Sequence, residues 1–286
     1  MLPPTPMLKE EQMTTTQTAQ PDPAAVKARQ QKMWASGNYA AVAARIVPMA
    51  EHLAEAAGLR PGDRVLDVAT GSGNAALAAA RYGCEVTGID YVPELLERGR
   101  ARAAAEGLEI TFAEGDAEDL AFPDASFDAV LSALGVMFAS DQERAAAELV
   151  RVCRPGGTIG LVNWTPAGFI GRLLKTVTRH VPPPAGVRPP TQWGTEERLR
   201  ELLGDAVSRL EVTRRTYVWR FRSPEEFASF FKEQYGPTRK AFEALDEDGR
   251  RRLWDDLTAL ARDHDTERGL TVAMPAEYLE VVATRA

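Results

Sequence analysis

The chain has 286 residues, a hydrophobic fraction of 44%, a charged fraction of 26% and a formal net charge of −7. These values are typical of a globular protein, and the length fits one large α/β domain, with or without a cap. Because no basic block stands out and no segment is apolar enough to span a bilayer, the composition disfavours a nucleic-acid partner and a membrane span.

The N-terminal residues 1–23 are rich in Pro, Thr and Gln and lack the apolar stretch of a signal peptide. We interpret them as a disordered leader and expect a cytoplasmic protein. The two cysteines, Cys84 and Cys153, match no metal-ligand spacing. We therefore predict two buried core thiols and no metal site.

Two helices are predicted before the first strand. They cover 24–36 and 39–57 and are separated by Gly37-Asn38. The second has an apolar stripe at helical spacing, formed by Val42, Ile46, Met49 and Leu53. These helices would form an N-terminal cap over 24–58.

Beyond residue 60, short apolar strands alternate with helices. Strands are predicted at 64–68, 85–89, 108–112, 127–132 and 158–162. The helices between them are predicted at 73–82, 93–106 and 141–153. Such alternation predicts a doubly wound α/β fold with a parallel sheet, whose ligand crevice lies at the carboxyl ends of the strands.

Residues 165–195, the lid segment, interrupt this alternation. The segment contains a predicted helix at 169–180 and a Pro-rich run at 181–190. Because it directly follows the fifth strand, we expect it to lie above the crevice. The elements predicted after it are a helix at 195–203, a strand at 208–222, a helical stretch at 224–263 and a strand at 270–284.

A glycine-containing loop, Asp67-Val-Ala-Thr-Gly71-Ser-Gly73, follows a predicted strand and opens a predicted helix. Gly71 permits a tight turn, and Gly73 lets a ligand approach the backbone. The free amides of the helix start then face the ligand. By itself this pattern indicates any Rossmann-type nucleotide site, including one for a nicotinamide cofactor.

Acidic residues at the ends of three strands narrow the choice. Asp67 can organise the loop and attract an ammonium group, but it would be poorly placed beside a pyrophosphate. Asp90 ends the second strand, where a carboxylate accepts hydrogen bonds from ribose hydroxyls. Asp116 and Glu118 follow the third strand, where an acidic side chain can accept the adenine amino group. The alternative for this last pair is a solvated acidic turn.

Five motifs in this order resemble the class I S-adenosylmethionine-dependent methyltransferases, in particular the type 11 branch with the ubiquinone and menaquinone C-methyltransferases. The motifs lie at 65–73, 88–90, 115–118, 122–128 and 154–157. The resemblance implies a Rossmann-like sheet of seven strands in the order 3-2-1-4-5-7-6, with the last strand antiparallel. It also implies S-adenosyl-L-methionine as cofactor, S-adenosyl-L-homocysteine as product and a small-molecule acceptor.

The resemblance also implies roles in the cofactor loop and after the second strand. Ala69, Gly71 and Gly73 would surround the methionine part of the cofactor. Asp90 would hold the ribose, and Tyr91 would pack on the adenine or the ribose. The family often has another glycine soon after Gly73, where this chain has Ala75 and Ala76, so the path of the loop is left open.

Further cofactor contacts are implied after the third and fourth strands. Asp116, Ala117 and Glu118 would edge the adenine, and Ser132 and Ala133 would approach the methionyl or sulfonium end. The predicted cofactor site also includes Asp67, Thr70 and Tyr39. Tyr39 would close over the cofactor, or would instead only pack the N-terminal helices on the body.

The whole chain from 24 to 286 is predicted as a single methyltransferase domain. Its parts are the N-terminal cap 24–58, the cofactor-binding core 60–164, the lid segment and the C-terminal half of the sheet, 196–286. We expect a monomer or a homodimer.

Methyl transfer is an in-line displacement, so the protein mainly aligns the nucleophile and excludes water. We assign no catalytic base. His180, at the end of the predicted lid helix, is a weak candidate, because a helix C-terminus also attracts a histidine for structural reasons.

Apolar side chains in and near the lid segment predict an aromatic-lined pocket for a small hydrophobic or aromatic acceptor, reacting at C, O or N. The same side chains would otherwise be ordinary core. They are Met137, Phe138, Trp164, Phe169, Ile170, Leu173 and Trp193.

Two other functions stay open. One is a nicotinamide-dependent oxidoreductase, against which Asp67 and the acidic loop argue. The other is a non-catalytic protein that binds the cofactor on the same fold, because methyl transfer requires no particular base whose presence the sequence would reveal.

Overall fold

The computed structural model describes residues 23–184, 187–267, 269 and 271–286. The predicted leader therefore lies outside the described residues, except for Pro23, which begins the first helix. Within the described ranges, no helix is both long enough and apolar enough to cross a membrane.

Helices and strands alternate along most of the described chain. The strands are β1 (Arg64–Val68), β2 (Glu85–Asp90), β3 (Ile110–Glu114), β4 (Phe127–Ala133), β5 (Cys153–Trp164), β6 (Val207–Phe221) and β7 (Val272–Arg285). The helices are α1 (Pro23–Trp34), α2 (Tyr39–Arg45), α3 (Val47–Ala56), α4 (Asn74–Arg81), α5 (Pro93–Glu106), α6 (Gln142–Val152), α7 (Phe169–His180), α8 (Glu196–Leu203), α9 (Pro224–Gln234), α10 (Gly236–Ala244) and α11 (Glu247–Asp263).

The strands form one sheet in the order β3-β2-β1-β4-β5-β7-β6. Neighbouring strands from β3 through β5 are parallel, whereas β7 is antiparallel to both β5 and β6. The predicted fold class and strand order are confirmed. Because the chain runs outward from β1 to β3 and then returns to β4 on the other side of β1, a crevice opens at the carboxyl ends of β1 and β4.

The centre of the sheet is buried on both faces, as expected for parallel strands covered by helices. Val65 and Leu66 of β1 and Val130 and Leu131 of β4 are fully buried. Four of the five alanines of α4 are also buried, so that this helix lies close against the strands beneath it. Both cysteines are free and buried, as predicted.

The predicted helix at 39–57 is two helices, α2 and α3, separated at Ile46. Pro48 explains the break, because it has no N–H to donate and its ring crowds the carbonyl four residues earlier. Its place in the first turn of α3 is one that a helix tolerates. A proline at the start of α10 likewise divides the helical stretch predicted at 224–263.

Other boundaries differ by a few residues. β3 begins at Ile110, two residues after the predicted start. β5 begins at Cys153 and therefore includes the Arg154-Pro-Gly-Gly157 turn that was expected to precede it. β7 begins at Val272, and Leu270, the predicted first residue, lies outside the described ranges.

Candidate active site

The loop between β1 and α4 turns by means of left-handed backbone. Ala69, Gly71 and Gly73 all have positive φ angles, of 54°, 55° and 86°. A positive φ is uncommon for a residue with a Cβ, so Ala69 marks the point where the loop is most constrained. Gly73 caps α4, and its N–H donates to the carbonyl of Thr70 at 2.8 Å.

Asp67 lies beneath this loop and is 1% exposed. One of its carboxylate oxygens accepts hydrogen bonds from the Thr70 hydroxyl at 2.5 Å and from the Ala76 N–H at 2.8 Å. Burial raises the pKa of Asp67 to about 7, although both hydrogen bonds lower it. The side chain thus organises the loop from below.

Asp90, at the end of β2, joins the loop to the next turn. Its two carboxylate oxygens accept from the N–H groups of Gly71 and Val92, each at 2.9 Å. Asp90 is 6% exposed, and burial raises its pKa to about 6. Unlike Asp67, it borders the open crevice.

A cavity of about 280 Å³ occupies this crevice. It brings together most of the cofactor residues predicted from the sequence. Those that line it are Tyr39, Ala69, Thr70, Gly71, Asp90, Tyr91, Asp116, Ala117, Glu118 and Ala133.

Three predicted residues do not line the cavity. Asp67 lies under the loop, as described. A Cβ on Gly73 would lie 3.1 Å from the ring of Phe112, so this glycine provides room for packing. Ser132 is fully buried, and its hydroxyl donates to the carbonyl of Val68 at 2.7 Å and accepts from the N–H of Val136 at 2.9 Å.

Helix α1, the first part of the predicted N-terminal cap, covers the cavity. Lys27, Gln30, Gln31 and Trp34 face the cavity. Their spacing places them on one side of the helix. For Lys27, Gln30 and Gln31 this spacing was the signal in the sequence, and it was weak because all three side chains are polar.

An arginine behind the loop connects it to α2. Arg102 of α5 donates to the Ser72 carbonyl at 2.6 Å and to the Asn74 side-chain oxygen at 2.8 Å. The Asn74 amide in turn donates to the Ala43 carbonyl at 2.9 Å. Asn74 itself lines the cavity, so these contacts fix one of its walls.

The lid segment differs from expectation, because none of its described residues lines the cavity. Its helix α7 packs on the C-terminal part of the chain, with the Phe169 ring 5.3 Å from that of Phe227 and 5.4 Å from that of His264. The apolar side chains predicted for an acceptor pocket are mostly core, and of that set only Phe138 lines the cavity.

His180 does not reach the cavity either. Its Nε2 lies 2.8 Å from a carboxylate oxygen of Asp256 on α11. The contact joins two helices that pack together away from the crevice. The structure thus places His180 in a contact between helices, which is the structural role given above as the alternative to that of a base.

Comparison with known proteins finds methyltransferases among the relatives of this chain. Residues 66–161 match the family model described as a methyltransferase domain. An uncharacterised protein of Mycobacterium tuberculosis is 45% identical over 250 residues, covering 86% of this chain and 87% of the relative. The demethylmenaquinone methyltransferase of Deinococcus radiodurans is 42% identical over 127 residues, covering 43% of this chain and 53% of the relative.

The chain belongs to the class I S-adenosylmethionine-dependent methyltransferases. The enzyme uses S-adenosylmethionine as its cofactor, and a nicotinamide-dependent reaction is not favoured. Its fold is shared by the crystal structure of a putative methyltransferase from Bacillus halodurans, with a TM-score of 0.57 and 21% identity, covering 82% of this chain and 97% of that one.

The raised pKa of Asp67 predicts a dependence of stability on pH. Between about pH 4 and pH 7 the folded enzyme holds this proton more tightly than the unfolded chain, whose aspartate has a pKa near 3.8. The stabilisation from the neutral carboxyl is complete below about pH 4 and is lost as the pH rises through 7. Asp67→Asn cannot ionise and lacks this loss.

The measurement is the free energy of unfolding in urea between about pH 5 and pH 8, for the wild type and Asp67→Asn. We expect the wild type to lose stability relative to the variant as the pH rises. Parallel pH profiles would show that Asp67 ionises normally in the folded enzyme.

Proposed function

We propose that the cavity binds S-adenosylmethionine with its adenosine part beside β2 and β3, and that the methyl group passes to a small apolar or aromatic molecule beside β4. The observation that carries this proposal is that the cavity has an acidic wall and a separate apolar wall. On the acidic wall, Asp90 ends β2, and Asp116 and Glu118 follow β3. Apolar residues follow β4, on the other side of β1.

The acidic side suits a nucleoside. Asp90 offers carboxylate oxygens for ribose hydroxyls at the end of β2, the position at which Rossmann-type folds bind ribose. Asp116 and Glu118 flank Ala117, and all three residues line the cavity. We assign Asp116, Ala117 and Glu118 to the edge of the adenine. We assign Tyr91 to the face of the adenine or to the ribose.

The apolar side suits an acceptor without charge. Leu134 and Phe138 line it from below, and Trp34 and Ile46 line it from the N-terminal helices. The rings of Trp34 and Phe138 lie 4.8 Å apart in an edge-to-face arrangement. The relative named demethylmenaquinone methyltransferase supports an aromatic ring as the acceptor.

Tyr39 lies between the two sides. A Cβ on Gly71 would lie 3.6 Å from the Tyr39 ring, so the ring packs on the cofactor loop. Burial, and to a lesser extent the charge of Asp90, raises the pKa of its hydroxyl well above the usual value. We therefore assign Tyr39 the role of hydrogen-bond donor, because a phenol that stays protonated at neutral pH does not serve as a base.

Cofactor binding tests the acidic side. We expect Asp90→Asn to weaken the binding of S-adenosylhomocysteine by at least about tenfold, the loss typical of a hydrogen bond to a charged group. Isothermal titration calorimetry measures the affinity. Asp205→Asn, which changes an exposed aspartate far along the chain, is the matched control. Equal affinities for both variants would remove Asp90 from the ribose site.

Acceptor screening tests the apolar side. The enzyme is incubated with methyl-labelled S-adenosylmethionine and a panel of small phenols, reduced quinones, amines and aliphatic acids. A double-stranded oligonucleotide and an unfolded protein serve as macromolecular acceptors. We expect label in the small aromatic compounds. Transfer only to a macromolecule or to a charged aliphatic acid would contradict the proposed acceptor class.

Substitution of Tyr39 separates a donor from a base. We expect Tyr39→Phe to lower kcat/KM by about five- to tenfold, the cost of one neutral hydrogen bond, and to leave the shape of the pH–rate profile unchanged. Tyr82→Phe, at an exposed tyrosine, is the control. A rise of kcat/KM with pH that is lost in Tyr39→Phe would show that Tyr39 takes a proton.

A further inference from the structure

Helix α1 is tied to the three loops that follow β2, β3 and β4 beside the cavity. Lys27 forms ion pairs with Asp116 and Glu118 after β3, at 2.6 Å and 2.7 Å. Gln31 donates to the carbonyl of Tyr91 after β2 at 2.5 Å. Gln30 donates to the carbonyl of Phe138 after β4 at 3.3 Å. The helix therefore crosses the opening of the crevice.

Apolar packing holds only one end of this helix. Among the side chains described in α1, Trp34 at the C-terminal end is the one that is buried. The remainder are half-buried or exposed. Lys27 lies two turns before Trp34, so the N-terminal half of the helix depends on polar contacts, with the ion pairs of Lys27 first among them.

Lys27 also occupies one oxygen of each of the two carboxylates that line this part of the cavity. The first oxygen of Asp116 accepts from the Glu118 N–H at 2.9 Å, and the first oxygen of Glu118 accepts from the Asp141 N–H at 3.0 Å. The second oxygen of each carboxylate is the one that Lys27 contacts. An amino group of a ligand at this edge must share these oxygens with the ammonium or displace it.

We propose that Lys27 is the latch that holds α1 across the cavity, and that its ion pairs set the rate at which the cofactor enters and its product leaves. The proposal rests on the proposed placement of the adenine beside Asp116 and Glu118. Lys27 acts here as a positioning residue, since it holds the cover in place and takes no part in methyl transfer.

The exposure of the ion pairs suits a latch that opens. The side chains of Lys27 and Asp116 are 34% and 38% exposed, whereas that of Glu118 is 8% exposed. Exposed pairs are weak and are screened by salt. Removing the ammonium should therefore speed cofactor exchange by about three- to tenfold, the range expected for two weak ion pairs.

The test compares Lys27→Met with Lys32→Met. Lys32 is on the same helix but is exposed and does not line the cavity, so both variants lose one positive charge from α1. Labelled S-adenosylmethionine is bound to the full chain and chased with an excess of unlabelled cofactor. We expect faster dissociation and association in Lys27→Met alone, with a smaller change in affinity than in either rate.

Salt and a conservative variant separate a latch from general loosening. Raising NaCl from about 0.1 M to about 1 M shortens the Debye length from about 10 Å to about 3 Å. This change should speed dissociation from the wild type and from Lys32→Met, but not from Lys27→Met. Lys27→Arg should restore the wild-type rate and its dependence on salt.

Two results would overturn the latch. One is an equal dissociation rate in Lys27→Met and Lys32→Met, and the other is an undiminished salt dependence in Lys27→Met.

If the wild type binds no cofactor, the proposed function fails. Hydrogen exchange of the α1 amides in the cofactor-free protein still tests the latch. Faster exchange in Lys27→Met than in Lys32→Met would support it, and equal exchange would refute it.

Discussion

The cavity depends on one buried carboxylate that holds a strained loop in shape. Asp67 accepts hydrogen bonds from Thr70 and from Ala76, which lie before and after the left-handed turn at Gly71 and Gly73. The turn carries the chain from the centre of the sheet into α4 and exposes loop backbone to the crevice. Its cost is the burial of an acid, which its raised pKa records.

The lower and upper walls of the cavity differ in stiffness. The lower wall consists of loops that leave the largely buried strands β1 and β4, and it is tied together by Asp90 and Ser132. The upper wall is α1, held largely by half-exposed polar contacts. Regions with few buried apolar contacts open at low free-energy cost. A stiff wall therefore faces a cover that can move.

The features that could be predicted from the sequence are those that depend on local sequence patterns. The loop 67–73 and the acids at 90 and 116–118 lie at strand ends, where topology fixes position. The strand order was implied by the family resemblance. The N-terminal cap was predicted, but the contacts that hold α1 on the cavity could not be, because polar side chains such as Gln30 and Gln31 give no apolar stripe. The lid segment was misplaced because contacts distant in sequence, such as Phe169 with Phe227 and His180 with Asp256, decide its position.

The charge of the cavity wall bears on the direction of cofactor exchange. Asp90, Asp116 and Glu118 line it against the single ammonium of Lys27 among the described lining residues, which leaves the wall net negative when the carboxylates are ionised. Methyl transfer converts the positive sulfonium of the cofactor into a neutral thioether. In the proposed binding mode, this wall therefore attracts the spent cofactor less strongly than the fresh one.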